Sequence, residues 1–356
     1  MPHTFRPGLE HVMAYRAGKP APRTADGRSV KLSSNENPYL PLPSVAHRLT
    51  EILSASISRY PSIAAPELTE ALASRFGVTA DNIALGSGSV EVAAQLIHAL
   101  TAPGDEVLFA WRSFEAYPIL TRVAGAVPVE VPLDGAARHD LDAMGSRITD
   151  RTRLIFVCNP NNPTGTVVST AELDRFMAVV PEDVLVVIDE AYVQFDRDPD
   201  SPNGIEAFRR YPNIAVLHTF SKAYGLAGLR IGYAIASQQV TEALRKVAVP
   251  FAVSQLAQEA ALISLASEAE LEARIDELVS ERDRVTAGLQ AAGLEVVPSQ
   301  ANFVWLPLEE ASAAVSAEFE RHGISVRCFP GEGLRISIGT PAENDAVLEA
   351  ARAVRA

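Results

Sequence analysis

Residues 183–192, DVLVVIDEAY, decide the fold. An aliphatic run that ends on a carboxylate, Asp189, reads as a strand buried on both faces whose C-terminal end opens into a polar loop. An unpaired charge at that place would be costly, so Asp189 needs a cationic partner. Two readings stand side by side: half of a structural salt bridge, or a carboxylate that keeps a ring nitrogen protonated so that the ring draws electrons.

The pattern recurs along the chain. NIALGSGS (82–89), DEVLFAW (105–111), RLIFVCNP (153–160) and NIAVLHTFSK (213–222) are short apolar runs closed by turn residues, while SVEVAAQLIHAL (89–100) and STAELDRFMAVV (169–180) have helical spacing. Strand alternating with helix predicts an α/β fold, with a mainly parallel sheet covered on both faces and ligands bound beyond the carboxyl ends of the strands. After about residue 246 a charged amphipathic stretch (268–293) closes at Gly293 and predicts a long helix bridging into a smaller α+β domain. That domain takes NFVWLPL (302–308) and GLRISIG (333–339) as strands. The expected division is an N-terminal arm, 1–45, that joins the small domain, a large domain, 46–246, and the small C-terminal domain, 247–356. PYLPLPS (38–44) is the expected hinge between arm and large domain.

Composition narrows the function. A chain of 356 residues, 47% hydrophobic and 21% charged, has room for more than one core. No apolar run is long enough to span a bilayer and no basic-then-apolar leader is seen, so a cytoplasmic protein is expected, with no membrane partner. A net charge of −13 without a basic stripe speaks against nucleic acid. Anionic small molecules would need a local cluster of arginines. Cys158 and Cys328 read as reduced thiols, and the seven histidines form no zinc-binding pair, so no metal is expected.

Three further stretches end strands in unusual loops. TFSKAYGLAGLR (219–230) carries Lys222 and Arg230; taken alone, such a lysine reads as a solvated surface residue. CNPNNPTG (158–165) sets two X-Pro bonds around adjacent asparagines in a rigid, amide-rich loop. GSGSVE (86–91) lacks the third glycine of a dinucleotide fingerprint and leaves a small-residue loop at a helix N-terminus, where free N–H groups suit one phosphate.

Taken together and in this order, GSGSVE, NPNNPTG, DEAY and SKAYGLAGLR resemble the fold-type-I pyridoxal phosphate aminotransferases, in their histidinol-phosphate aminotransferase branch. SSNENPY (33–39), RYP (59–61) and GLRISIGT (333–340) are similar to that branch as well. Within it, WRSFEAYP (111–118), VAVPFAVS (247–254) and PSQANFVWLPL (298–308) look most like the actinobacterial aromatic amino acid (phenylalanine) aminotransferases. The resemblance covers almost the whole chain and implies a seven-stranded large-domain sheet, pyridoxal 5′-phosphate as cofactor, and a homodimer with shared active sites.

It also implies roles. Lys222 would carry the cofactor and then shuttle a proton, which requires an amine pKa lowered towards neutrality. Arg230, Thr219 and Ser221 would form a phosphate cup with the backbone N–H groups of Ser89 and Val90, completed by Tyr60 across the dimer interface. Val90 stands where the family often has an acidic residue. Phe114, in place of the more usual tyrosine, would stack on the pyridine ring, with Asn162 and Tyr192 on its oxygen and Asp189 on its nitrogen. Arg335, with Asn35 nearby, would clamp the substrate α-carboxylate. Tyr15 from the partner subunit, Arg327 and Phe251 would line the side-chain pocket. Trp111 and Trp305 read as core or pocket wall, and His218 as a satisfied core histidine.

The expected reaction exchanges an amino group between an aromatic amino acid and 2-oxoglutarate by a ping-pong route. Histidinol phosphate is the alternative substrate, through Arg327, and a decarboxylase or C–S lyase of the same fold shares nearly all the motifs. A cofactor-sensing regulator on this fold would carry a DNA-binding domain ahead of it, whereas here the aminotransferase pattern begins almost at once.

Overall fold

The computed structural model describes residues 8–25, 27–55 and 57–354. Its strands in chain order are β1 (Val30–Leu32), β2 (Ile83–Gly86), β3 (Glu106–Trp111), β4 (Val127–Pro132), β5 (Thr152–Cys158), β6 (Leu185–Asp189), β7 (Ile214–Thr219), β8 (Gly232–Ile235), β9 (Phe303–Leu306), β10 (Ile324–Phe329) and β11 (Gly333–Ser337). Seven of them form the large sheet in the order β2-β8-β7-β6-β5-β3-β4. All neighbours run parallel except that β8 is antiparallel to both β2 and β7. The seven-stranded, mainly parallel sheet and smaller second sheet are those expected.

Why the central strands are unbroken aliphatic runs is visible in the packing. Ile155, Val157, Val186, Ile188 and Val216 face one apolar cluster, and the residues between them, Phe156, Val187, Ala215 and Leu217, face the other. Side chains alternate between faces with period two, and both faces are covered, so on β5, β6 and β7 only Arg153, at the start of β5, reaches solvent in part. Polarity is confined to the strand ends, where Cys158 pairs in register with Asp189, and Thr219 with Gly232.

The smaller sheet has the order β1-β10-β11-β9. β1 pairs parallel with β10, so the N-terminal segment is stitched to the C-terminal part of the chain. The long helix Glu268–Ala291 lies between the two sheets in sequence and packs against both Phe303–Leu306 and the terminal helix Pro341–Ala351. Helices tie the three stretches together. Pro43–Ala55 runs through position 45, and it packs on Gln255–Ala266, which in turn packs on Pro66–Phe76 of the large unit. Helical periodicity gives the apolar face of Gln255–Ala266 but not the partner that covers it.

Candidate active site

The carboxyl ends of β5, β6 and β7 open on a cavity of about 410 Å³, closed from the other side by β10, β11 and residues 15–18 and 33–36. Fourteen of the sixteen side chains singled out above line it; Tyr60 and Phe251 do not.

Asp189, the last residue of β6, is buried. The residue lines the cavity; its Oδ2 accepts a hydrogen bond from the Tyr117 hydroxyl at 2.6 Å, while Oδ1 has no partner among the described residues. Burial pushes the carboxyl up to about 6, and the Tyr117 hydroxyl and the Ala191 N–H pull it back only in part. A buried carboxylate oxygen without a donor is costly, so this geometry fits a ligand that brings an N–H to it.

Lys222 follows β7 in a tight turn, and its amine lies 3.3 and 3.2 Å from the carbonyl oxygens of Ser34 and Asn35. Burial, and then the positive charge of Arg335, bring the amine down from 10.5 to about 7. The solvated lysine of the sequence-only alternative is therefore not what the fold builds. The Tyr192 hydroxyl oxygen accepts from Asn35 Nδ2 at 3.0 Å, donates to no acceptor among the described residues, and has its pKa raised by burial.

The amide-rich loop divides its work. Asn159 accepts from Val168 N at 2.9 Å, and Asn161 joins Ser113 and Thr164 at 2.8 and 2.9 Å, so both amides hold the loop together. Asn162 alone of the three lines the cavity, where its Oδ1 accepts from Arg335. Arg335 is buried, donates also to Ser33 O at 3.0 Å, leaves Nε without a partner, and makes no ion pair among the described residues. Burial lowers its pKa, so an anion brought to it would relieve the cost of the buried charge.

An anion cradle lies at the other end of the cavity. The helix Ser89–Leu100 starts there with no side-chain cap on its first N–H groups. Arg230 reaches over it, donating to Ser87 O at 3.3 Å and to Ser221 Oγ at 3.4 Å, and Thr219 and Ser221 flank it. Gly88, with φ of 87°, has no room for a Cβ, which would run into the Arg230 guanidinium. At Gly232 a Cβ would meet the Ser89 nitrogen and the Gly88 backbone. Two glycines thus keep a shallow, donor-lined hollow open. Phe114 lines the same cavity, edge-on to Tyr117 at 5.5 Å.

Tyr15 lines its own chain's cavity, 6.5 Å from Phe114. The cause is local: the carbonyl of Lys19 accepts from Ser325 at 2.8 Å and Ser33 at 3.1 Å, which ties residues 15–19 across β10. Tyr60 and Phe251 stack on each other at 4.5 Å, 82% and 42% exposed, on a surface away from the cavity. His218 is held by Glu190 at 2.6 Å and Tyr233 at 2.9 Å, a satisfied core histidine. Trp111 and Trp305 are not cavity residues. Sequence reasoning missed Tyr117 and Glu115. The first lies three residues beyond Phe114, one helical turn away, a spacing that could have drawn attention to it.

Among the described residues no cluster of His, Cys, Asp or Glu suits a metal ion, and no helix is long and apolar enough to cross a membrane.

Comparison with known proteins agrees with this geometry. Residues 28–350 match the family described as aminotransferase class I and II. An aromatic amino acid aminotransferase of Streptomyces coelicolor is 56% identical over 352 residues, 99% of this chain and 97% of its own. One from Thermobifida fusca is 53% identical over 351 residues, again 99% and 97%. Among solved structures, histidinol-phosphate aminotransferase from Sinorhizobium meliloti in complex with pyridoxal-5′-phosphate superposes with a TM-score of 0.86 at 27% identity, covering 92% of this chain and 90% of that one. Aspartate aminotransferase from Thermus thermophilus with maleate gives 0.81 at 27% identity, with 92% of each chain covered.

Proposed function

The chain belongs to the class I and II aminotransferase family, and from that premise we propose that it exchanges the amino group between an aromatic amino acid and 2-oxoglutarate, with pyridoxal 5′-phosphate as cofactor. One observation carries the reading: a buried near-neutral amine (Lys222), a carboxylate oxygen without a donor (Asp189) and a buried arginine without an anion (Arg335) converge on one cavity. When bound, the cofactor supplies an aldehyde for amine exchange and a ring that accepts the electron pair left at the substrate Cα.

The chain's own residues do the rest. Arg230, Ser221, Thr219 and the N–H groups of Ser89 and Val90 would hold the phosphate, and Asp189 Oδ1, which lacks a donor, would accept the ring N–H. Phe114 would cover the ring, while Asn162 and Tyr192 would serve its oxygen. Lys222 would be the residue that carries the cofactor, and its amine, near neutrality, is suited to take and return a proton at the substrate Cα. Arg335 receives the α-carboxylate beside Asn35, and Arg327 the γ-carboxylate of glutamate. Tyr15 walls the side-chain pocket.

A homodimer is part of the proposal. Tyr60, Phe251, Leu40, Ile57, Ile63 and Val249 are exposed apolar side chains of the kind that a second copy covers. Tyr60 then completes the neighbour's phosphate cup, with Phe251 beside it. We place the protein in the cytoplasm, where the free thiols Cys158 and Cys328 stay reduced.

The test is a panel of donors, phenylalanine, tyrosine, tryptophan and histidinol phosphate, each with 2-oxoglutarate and the cofactor-loaded protein. Glutamate and the aryl 2-oxo acid are the expected products. A preference for histidinol phosphate by orders of magnitude, or release of carbon dioxide or pyruvate, would overturn the reading.

A further inference from the structure

Arg327 and Arg335 stand directly opposite each other on the antiparallel pair β10 and β11, so two guanidinium groups enter one cavity side by side. Like charges in that relation repel unless an anion intervenes. Arg335 has no ion-pair partner among the described residues, as a general α-carboxylate receptor requires. Arg327 is closed: its Nη2 donates to Glu115 Oε2 at 2.6 Å, with the two side chains 14% and 29% exposed. The rest of its guanidinium lies 5.4 Å from the Phe329 ring centre and 3.4 Å from Ala17 O.

We propose that Glu115 is a specificity-determining residue, an internal counter-ion that occupies Arg327 when the substrate side chain is uncharged and yields it when the side chain is acidic. This deepens the dual-substrate reading above and rests on it. An aryl side chain entering beside a bare, half-buried arginine would strip water from a charge and return nothing. With Glu115 in place the subsite is neutral, and Tyr15 and Phe114 offer it aromatic surface. A second carboxylate on the substrate does what Glu115 does, so the two compete for one fork. Release of Glu115 is cheap for a local reason. The residue immediately precedes the helix Ala116–Ala124, whose N-terminal N–H groups favour a carboxylate with or without Arg327.

The experiment uses cofactor-loaded protein and two ligands that lack an amino group and cannot turn over, 3-phenylpropionate and glutarate, with dissociation constants from calorimetry. Glu115→Gln keeps the size of the side chain and removes its charge; Glu115→Ala serves as a second variant. The ratio of glutarate to phenylpropionate affinity is expected to rise about tenfold in either variant, the scale of one charge-assisted hydrogen bond. Adding Arg327→Gln should abolish that rise. A ratio unchanged from wild type, with only the melting temperature moved, would assign Glu115 to the helix end and overturn the proposal. A wild type that neither binds 3-phenylpropionate nor transaminates phenylalanine overturns the aromatic reading instead, and the glutarate affinity by itself then decides Glu115: about tenfold tighter binding in the variants upholds it, and no change overturns it.

Discussion

Replacing Lys222 with methionine in cofactor-free protein should stabilise it, and by an amount that shrinks as pH rises. The amine is brought down to about 7 in the fold, whereas in the unfolded chain it titrates near its ordinary 10.5. Between those values the unfolded chain binds the extra proton, so the wild-type fold gains stability with increasing pH, and below them the full penalty of the buried amine is present. Worked through, the penalty is about 4 kcal/mol near pH 7 and about 2 kcal/mol near pH 9, so the advantage of Lys222→Met should fall by about 2 kcal/mol across that interval. Methionine has similar length and no charge, and it leaves the other titrating groups common to both proteins. Asp189, raised to about 6, and His139, lowered to about 4 by burial, change charge below the interval in any case. Urea denaturation of both proteins at a series of pH values reads the effect directly. A difference that does not vary between pH 7 and 9 would mean that the amine is solvated and charged in the fold, and the argument from burial would fail.

Tyr117→Phe removes the hydroxyl donor from Asp189, so the carboxyl, already raised, should rise further, by about one unit. In a pH titration of the loaded protein's visible spectrum, the acid limb should move up with it, and kcat should fall more than KM changes; an unmoved limb would deny the coupling. Gly88→Ala pushes a methyl group into the Arg230 guanidinium at a φ of 87° and should weaken cofactor binding by about tenfold or more in equilibrium dialysis. Undiminished affinity would place the phosphate elsewhere. Mixing Tyr60→Phe chains with Lys222→Ala chains should yield dimers that have one site with both defects and one with neither. Activity that never exceeds that of the Tyr60→Phe parent, after correction for chain numbers, would mean that each site belongs to a single chain.

How much of this was legible in the sequence follows from burial. β5, β6 and β7 are covered on both faces, so nothing interrupts their aliphatic runs, and the residues that end them, Cys158, Asp189 and Thr219, stand out by contrast. β4, VPVEVP, hides because it is an edge strand with two prolines and mixed exposure. β1 is three residues long and gains its identity only from β10, far along the chain. The site behaves in the same way. Motif residues at strand ends could be named in advance, whereas the bonds between Tyr117 and Asp189, 72 positions apart, and between Glu115 and Arg327, 212 apart, are products of the tertiary fold. Periodicity places a side chain on a face of its own element; it says nothing of what a distant loop sets against it.

The central claim is that this chain holds pyridoxal phosphate covalently through Lys222, in the cavity where the α-amino group is exchanged. Borohydride reduction of the loaded protein, followed by proteolysis and mass mapping, tests it without any assumption about substrate. The cofactor mass should be found on Lys222, within the stretch TFSKAYGLAGLR, and should be absent when phenylalanine is added before the reductant, because the substrate amine has then displaced the lysine. Cofactor retained on another lysine, or retained on Lys222 regardless of phenylalanine, would contradict the account.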